Sequence, residues 1–483
     1  MMDIHRIPAS CLRLLLSAIP LTTAWSQTDQ TTNSSAPSTN IQWVTPAEAT
    51  RGIDLYALTG LVSDDGKQRV VGPQRDFGGE GTADPRLDSM IVQRAKGWAE
   101  TLRASPVQGI QLDPTGRLFV VAGQDAEAKR QFATRLASPG LSLEDRAYTI
   151  LLAIGAFTDK PQDTTRLSTA QGYLAQIDAL PSKQVALAQF TGHVAVANAY
   201  YILGNTGVVT TQLSKAFSVV PDIPFAQRTW DMAMMGSVGQ AFVTFADVLS
   251  AQPQGRATVD SVGKWLLQYT KAPQEVRARD TQDSLAVRLQ EFQTITFTNV
   301  LKLVAYLGRP APPIVANYWF NMQTPATTVA DVPGAASLSL DDGNIHIVEF
   351  GKHGCTGCVV ALPKLAALQQ SLPKPVSIIY VTLGGDSWGA TPCTPEEAAS
   401  HFKHYYTVQK DVHLPIALWI GTRQNDADGG TIETGSPTFG AYHIDGTPWF
   451  FVTDRKGIVR HASFGYNEPL LRGALMHLFS EKQ

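Results

Sequence analysis

The chain has 483 residues, enough for two to four domains at about 150 residues each. Hydrophobic residues make up 44% and charged residues 17%, a globular balance with ample core-forming material, and the formal net charge is −3. No long basic or acidic block is present, so nothing points to nucleic acid or to an anionic membrane surface as a partner.

At the N-terminus, Arg6 and Arg13 flank the start of an apolar run, Leu14 to Ala24, the length of a signal-peptide core. Ala24-Trp25-Ser26 offers small residues for a cleavage site. A retained anchor is the other reading, but a span takes ~20 apolar residues, more than this run supplies. Residues 1–26 are therefore expected to be a cleaved signal peptide. Cys11 precedes the apolar run rather than following it, which argues against lipidation. No later segment is apolar enough to cross a membrane. The expectation is an exported protein with no membrane span after cleavage, periplasmic in a Gram-negative cell and otherwise secreted or envelope-associated. Cleavage leaves Cys355, Cys358 and Cys393. Export favours disulfides, yet three cysteines in a long chain make no disulfide scaffold. One close pair with one left over fits a redox site better than a structural staple.

Residues 27–42 are polar and low in complexity and read as a linker; Asn33-Ser34-Ser35 within them fits a glycosylation sequon. Residues 43–307 read as a mainly α-helical domain with a mixed N-terminal part. In that part "GRLFVVAG" (Gly116 to Gly123) reads as a short strand. Clear helices follow: one from Leu143 capped by Ser142, then Arg166 to Leu180, Lys183 to Leu203, Val208 to Val219, Gln227 to Leu249 and Asp280 to Leu307. Pro161, Pro181, Gly204 and Pro221 separate several of them. Short helices joined by short turns suggest stacked α-hairpins of the tetratricopeptide kind. No repeat with a consensus recurs at a fixed period, so an irregular helical domain stays equally open. His193 reads as a core or surface histidine rather than a ligand.

Pro310, Pro312 and Pro313 cannot continue a helix, which places a boundary at residue 308. From 308 to 483 the periods change. "IHIVEF" is a strand, and Leu362, Leu365, Leu368 and Leu372 recur at helical spacing after it. "VSIIYVTL" is a continuous apolar strand, as for a buried parallel neighbour. Thr394-Pro395-Glu396-Glu397 is a helix start with a capping box. "LPIALWIG" is the next strand, followed by a polar insertion and a short helix at Pro437 to Tyr442. "TPWFFVT" and "GIVRHAS" form a hairpin, and Glu468 to Phe479 is the last helix. Helices are expected on both faces of a central mixed sheet.

Within this order, Cys355-Thr356-Gly357-Cys358 closes the first strand and opens the first helix. Pro363 follows the second cysteine by five residues, and Glu349 precedes the first by six. With "IDGTPWFFVTDRKGIV" and "GRPAP" in sequence, the region resembles the thioredoxin fold and, within it, the exported TlpA/ResA-like thiol–disulfide oxidoreductases. The resemblance covers about a third of the chain. It implies an α/β thioredoxin-like domain, no cofactor, a helix-kink proline at Pro363, a buried carboxylate at Glu349 and a cis-proline at Pro448. Departures are Gly354 where the family carries tryptophan, Thr356-Gly357 where it commonly has proline, and the insertion after Gly421.

The chemistry follows from thiolate stability. A free cysteine has a pKa of about 8.5, and a helix N-terminus favours its charged form. Cys355 is the expected nucleophile, Cys358 the more buried resolving thiol, and Lys352 and His353 the possible modulators through positive charge. Glu349 would move a proton to or from Cys358. Thr447, beside Pro448, would pair with an extended substrate. The partners would be protein thiols or disulfides and a further redox partner that reloads the pair. Zinc is a rival needing two more ligands, for which Cys393, His346 and His353 are available but no second CxxC exists. Two inert cysteines are another. A peroxidase would need threonine and proline upstream, which "EFGKHG" lacks. Cys393 reads as a spare or packing thiol, or else a third redox thiol. Trp388 and Trp449 read as packing or substrate-surface residues. The expected function is a disulfide reductase of specific partners. The alternative is a helical interaction or chaperone-like module carrying a thioredoxin-fold peptide platform.

Overall fold

The computed structural model describes residues 42–43, 61–62, 68–69, 85–104, 112–223, 232–250, 255–269, 297–298, 300–321, 336–353, 355–373, 376–385, 387–388, 391–410, 412–421, 423–425, 431–433, 435–444 and 446–481. The expected signal peptide, nearly all of the linker and most of the expected helix from Asp280 lie outside the described residues. Contacts divide the chain into two units: Met1–Leu203 with Thr211–Pro224, and Gly204–Thr210 with Phe225–Gln483.

The first unit opens with a small antiparallel sheet of Gln42–Trp43, Leu61–Val62 and Gln68–Arg69 and is otherwise helical: α1 (Pro85–Ala104), α2 (Leu112–Val121), α3 (Asp125–Leu136), α4 (Leu143–Thr158), α5 (Thr164–Asp178), α6 (Ser182–Ile202) and the later part of α7 (Thr206–Val219). Local chemistry sets the starts. Ser142 Oγ accepts the Asp145 N–H at 3.0 Å, and the Asp163 carboxylate accepts the N–H groups of Thr165 and Arg166 at 3.0 and 3.1 Å. The rings of Phe132, Phe157 and Tyr173 pack together in the core. The buried Arg166 guanidinium meets Asp125 at 2.6 Å and the Val120 carbonyl at 3.1 Å, tying α5 to α2 and α3. The expected strand at Gly116 to Gly123 is instead the end of α2. Leu118, Phe119 and Val120 are all buried there, and an apolar run buried on every side has no period that separates strand from helix. Gly116 permits the packing, since a Cβ at that position would lie 2.8 Å from the Phe132 ring. Helices α1 and α3 were not expected from the sequence.

The second unit begins with α8 (Met232–Ser250) and α9 (Gly255–Tyr269). Its largest sheet among the described residues has six strands: β1 (Tyr318–Phe320), β2 (His346–Lys352), β3 (Ser377–Gly384), β4 (Ile416–Ile420), β5 (Trp449–Thr453) and β6 (Val459–Phe464). The order is β6-β5-β2-β3-β4-β1. Strands β2, β3 and β4 are parallel, while β1, β5 and β6 each run antiparallel to their neighbours. The mixed sheet expected from the sequence is thus present. Strand β1 was not expected, because three residues just past a proline cluster are too few to reveal an alternation.

Helix α10 (Thr356–Ser371) connects β2 to β3, and α11 (Pro395–His404) lies between β3 and β4. The capping box of α11 is complete: Thr394 and Glu397 exchange hydrogen bonds at 2.8 and 3.2 Å. Next come α12 (Pro437–Ala441), the β5–β6 hairpin and α13 (Glu468–Ser480). Ile347, Ile378, Leu418 and Phe450 share one core with Cys358, Leu362 and Leu365 of α10, Phe402 of α11 and Leu471 of α13. On the opposite face Phe350 and Phe451 pack against Phe439 and Tyr442. Among the described residues, no helix is long and apolar enough to cross a membrane.

The end of β3 lies tightly under α11. A Cβ at Gly384 would sit 2.3 Å from the Phe402 ring and 2.8 Å from the Ile420 methyl. Gly384→Ala should therefore lose about 1–3 kcal/mol of stability, read as a lower denaturant midpoint at unchanged slope.

Candidate functional site

Strand β2 ends at Lys352 and the chain turns at once into α10. The Cys355 N–H donates to the Lys352 carbonyl at 3.2 Å, closing that turn. Cys355 is the N-cap of α10, and its Sγ accepts the Cys358 N–H at 3.2 Å. A cysteine sulfur thus occupies the place that serine or aspartate takes at other helix starts, facing the positive end of the helix. Cys355 and Cys358 are joined by a disulfide, with their Cα atoms 5.3 Å apart. Cys355 is half-buried and Cys358 fully buried. Only the first sulfur is open to an incoming group.

Glu349 lies in the middle of β2. Alternation along the strand puts it on the same face as Ile347, which packs in one core with Cys358. Its cross-strand partners are Tyr380 on β3 and Phe450 on β5. The residue is fully buried, and neither carboxyl oxygen meets a hydrogen-bond partner among the described residues. Burial pushes its pKa well above the usual carboxylate value. Hydroxyl groups gather nearby: the Tyr406 hydroxyl lies 3.3 Å from those of both Tyr380 and Thr382. Burial pushes Tyr406 up to about 12 and Tyr380 well above its ordinary value, so both stay protonated at neutral pH. These tyrosines were not anticipated from the sequence. The available signal was Gly351, where a Cβ would lie 2.4 Å from the Tyr380 hydroxyl, so β2 needs a glycine there to let the ring pass.

Pro448 opens β5 after a cis peptide bond from Thr447. Its ring lies against the cysteine turn, with Cδ 3.5 Å from where a Cβ of Gly357 would be. Cys355, Cys358, Thr447 and Pro448 therefore gather at one end of the sheet, with Glu349 farther along β2 on the face that buries Cys358. Lys352 is exposed at the end of β2. His353 presents its ring to the edges of Phe402 and Tyr405, with centroids 5.3 and 4.9 Å apart. Although one side of it is open to solvent, this aromatic contact desolvates the imidazole and lowers its pKa, favouring the neutral form. Pro363 lies inside α10 on its exposed side. Beside it the Lys364 ammonium sits 5.7 Å from the centre of the Tyr466 ring. Trp449 is buried against Phe451 and Phe464.

Other candidates lie apart. Cys393, half-buried, immediately precedes the cap of α11 and is a free thiol. His346, a possible zinc ligand, is at the opposite end of β2 from the cysteines and contacts Asp342 at 2.8 Å. Among the described residues no three or more of His, Cys, Asp and Glu group to hold a metal. His193 is buried in the first unit with both ring nitrogens engaged, by Gln212 at 2.7 Å and Asp178 at 2.9 Å.

No family model matches the chain, and no curated protein matches it. Solved structures do. A thioredoxin-like superfamily protein is 23% identical over 36% of this chain and 97% of its own, with a TM-score of 0.25. A thiol-disulfide isomerase from Corynebacterium glutamicum is 22% identical over 36% of this chain and 97% of its own, at 0.26. A putative thiol:disulfide interchange protein DsbE from Chlorobium tepidum is 16% identical over 35% of this chain and 96% of its own, at 0.24. The strand order and the position of the disulfide, rather than these likenesses, carry the account of the site.

A carboxyl whose folded pKa is raised adds stability below its unfolded pKa of about 4.3 and loses it as pH climbs through the folded value. Glu349→Gln removes that loss. The variant should match wild type near pH 4 and melt higher at pH 8, by roughly 3 °C for every tenfold by which burial disfavours the charged form. Calorimetry across that range checks it.

Proposed function

We propose that the chain is an exported thiol–disulfide oxidoreductase of the TlpA/ResA kind, acting as a reductase of protein disulfides through Cys355 and Cys358 without a cofactor. One observation carries the reading: a cysteine pair spans the N-terminus of α10 on the sheet face that buries the partnerless Glu349.

In the reduced enzyme the Cys355 thiolate attacks one sulfur of a substrate disulfide. A Cys355–substrate bond forms, the substrate disulfide breaks and its other sulfur leaves as a thiolate. Cys358 then loses its proton to the Glu349 carboxylate and attacks the Cys355 sulfur. The intramolecular disulfide forms and the second substrate sulfur departs, so two electrons have passed to the substrate. Glu349 keeps that proton while the cysteines are joined, the state in which burial holds it neutral, and both substrate thiolates are protonated from water. A dithiol partner reloads the pair by the reverse exchange, in which Glu349 gives its proton to the departing Cys358 sulfur and becomes the carboxylate of the next cycle.

The half-buried Cys355 and buried Cys358 suit nucleophile and resolving thiol in that order. A desolvated carboxylate below Cys358 disfavours a thiolate there, which favours the oxidised pair and so a reductase. Thr447 is assigned to pair with an extended substrate backbone. Exposed Lys352 favours the Cys355 thiolate by its charge, whereas His353 acts chiefly as a neutral, packed ring. Residues 308–483 are assigned to the thioredoxin-like domain. The helical region, read as stacked α-hairpins, would position this domain or recognise its partners. Residues 1–26 would direct export, and Cys393 is a spare thiol.

A Cys358→Ala variant should accumulate a mixed disulfide through Cys355 that a small dithiol releases, whereas Cys355→Ser should trap nothing. Glu349→Gln should slow the resolving step about 100-fold, read by rapid-quench of the mixed disulfide. Partners held without any covalent link would contradict the exchange reaction and support a peptide-binding platform instead.

A further inference from the structure

Strand β6 is the edge of the six-stranded sheet; at its start Val459 exchanges backbone hydrogen bonds with Gly308 and Arg309 at 2.8 and 2.9 Å, but toward Phe464 its outward backbone groups have no neighbouring strand. Such groups must be covered or left to water. Helix α8 lies along that edge. The Gln240 side chain acts as a short substitute for a strand: its Oε1 accepts the Phe464 N–H at 3.1 Å and its Nε2 reaches the Ala462 carbonyl at 3.5 Å. Two turns along the same helix, the Asp247 carboxylate approaches Nδ1 of the buried His461 at 3.5 Å. Thr244, between them, is fully buried and returns its hydroxyl to the Gln240 carbonyl at 3.1 Å. The 240–247 stripe of α8 is thus fitted to β6, not merely near it.

The held end of β6 leads directly to the cysteines. Phe464 is the cross-strand partner of Trp449. The next residue, Gly465, adopts φ +76°, a conformation that glycine takes without strain, and its N–H donates to the Pro448 carbonyl at 2.9 Å. Pro448 in turn lies against Gly357 between the two cysteines. Gln240, Phe464, Gly465, Pro448 and Gly357 form one unbroken set of contacts.

We propose that Gln240 is a positioning residue for disulfide exchange: by fixing the end of β6 it holds the Thr447–Pro448 segment where an extended polypeptide must lie across the cysteine turn. This deepens, and rests on, the exchange reaction proposed above. Helix α8, within the region that sequence pattern alone assigns to the helical domain, would then be part of the redox machinery. A small disulfide, too short to lie along that segment, should not need Gln240.

The test uses the full chain with Gln240→Met, which keeps the side-chain length and loses the amide, and Gln240→Glu, which keeps the acceptor for the Phe464 N–H. Amide hydrogen exchange at Phe464 and Gly465 is measured alongside KM and kcat for a disulfide-bonded model peptide and for glutathione disulfide. In Gln240→Met, Phe464 should exchange about tenfold faster and the peptide KM should rise about five- to tenfold, the effect of one hydrogen bond. Its kcat and its reaction with glutathione disulfide should stay within about twofold, and Gln240→Glu should restore both readouts, since it keeps the stronger of the two bonds. If the methionine variant does not fold, Gln240→Asn, one methylene too short to reach the strand, replaces it. An unchanged peptide KM, an equal loss toward glutathione disulfide, or a glutamate variant that behaves like methionine overturns the proposal while leaving the exchange reaction standing. A wild-type protein that exchanges with neither disulfide overturns both.

Discussion

Burying a carboxyl group in the middle of a sheet with nothing to hydrogen-bond it is among the least favourable choices a fold can make, and Glu349 is such a group. With the cysteines joined, the site is tolerable because that carboxyl keeps its proton, which is what burial enforces. The neighbouring strands fit this need. Tyr380 and Phe450 close over it from β3 and β5, and the tyrosine hydroxyls nearby are themselves held protonated. In the proposed exchange, that stored proton, on the sheet face that buries Cys358, gives the pair its chemical direction, since it can be lent only when charge appears close by.

In that proposal the charge it answers is the one that appears at Cys358. The N-terminus of α10 favours a thiolate at Cys355, at the N-cap, and does less for Cys358 one turn inside and fully buried. Position alone would then make the two thiols of the reduced motif unlike: one ready to attack, one in need of a base. Strand order supplies the rest. Strand β2 carries Glu349 and leads into the cysteines, and Pro448, beside Gly357, immediately precedes β5 on its flank. In the proposal Gln240 of α8 extends the same logic outward, since the edge strand whose end contacts Pro448 through Gly465 needs a fixed partner on its open side.

Much of this was legible in the residues. The CxxC at the junction of an apolar strand and a helical stripe, the capping box at Thr394 and the turn between "TPWFFVT" and "GIVRHAS" are local signals, and local signals survive without a structure. The strand read at Gly116 to Gly123 failed because burial on all sides erases periodicity. Strand β1 was too short to announce itself. The hydroxyl group around Glu349 was illegible for a different reason. Tyr380 and Tyr406 are 26 residues apart and meet only because the helical turn that follows α11 packs against β3. Gln240 is farther still, 224 residues from the strand end it holds, and nothing in a mid-helix glutamine marks it as a strand partner.

The central claim is that Cys355 and Cys358 form a working redox couple set toward reduction. Equilibrating the full chain with defined glutathione ratios and counting free thiols by mass measures it most directly. A single two-electron transition is expected, at a potential nearer to about −270 mV than to about −120 mV. Thiols that fail to interchange reversibly with glutathione, or a potential at the oxidising end of that range, would contradict the account.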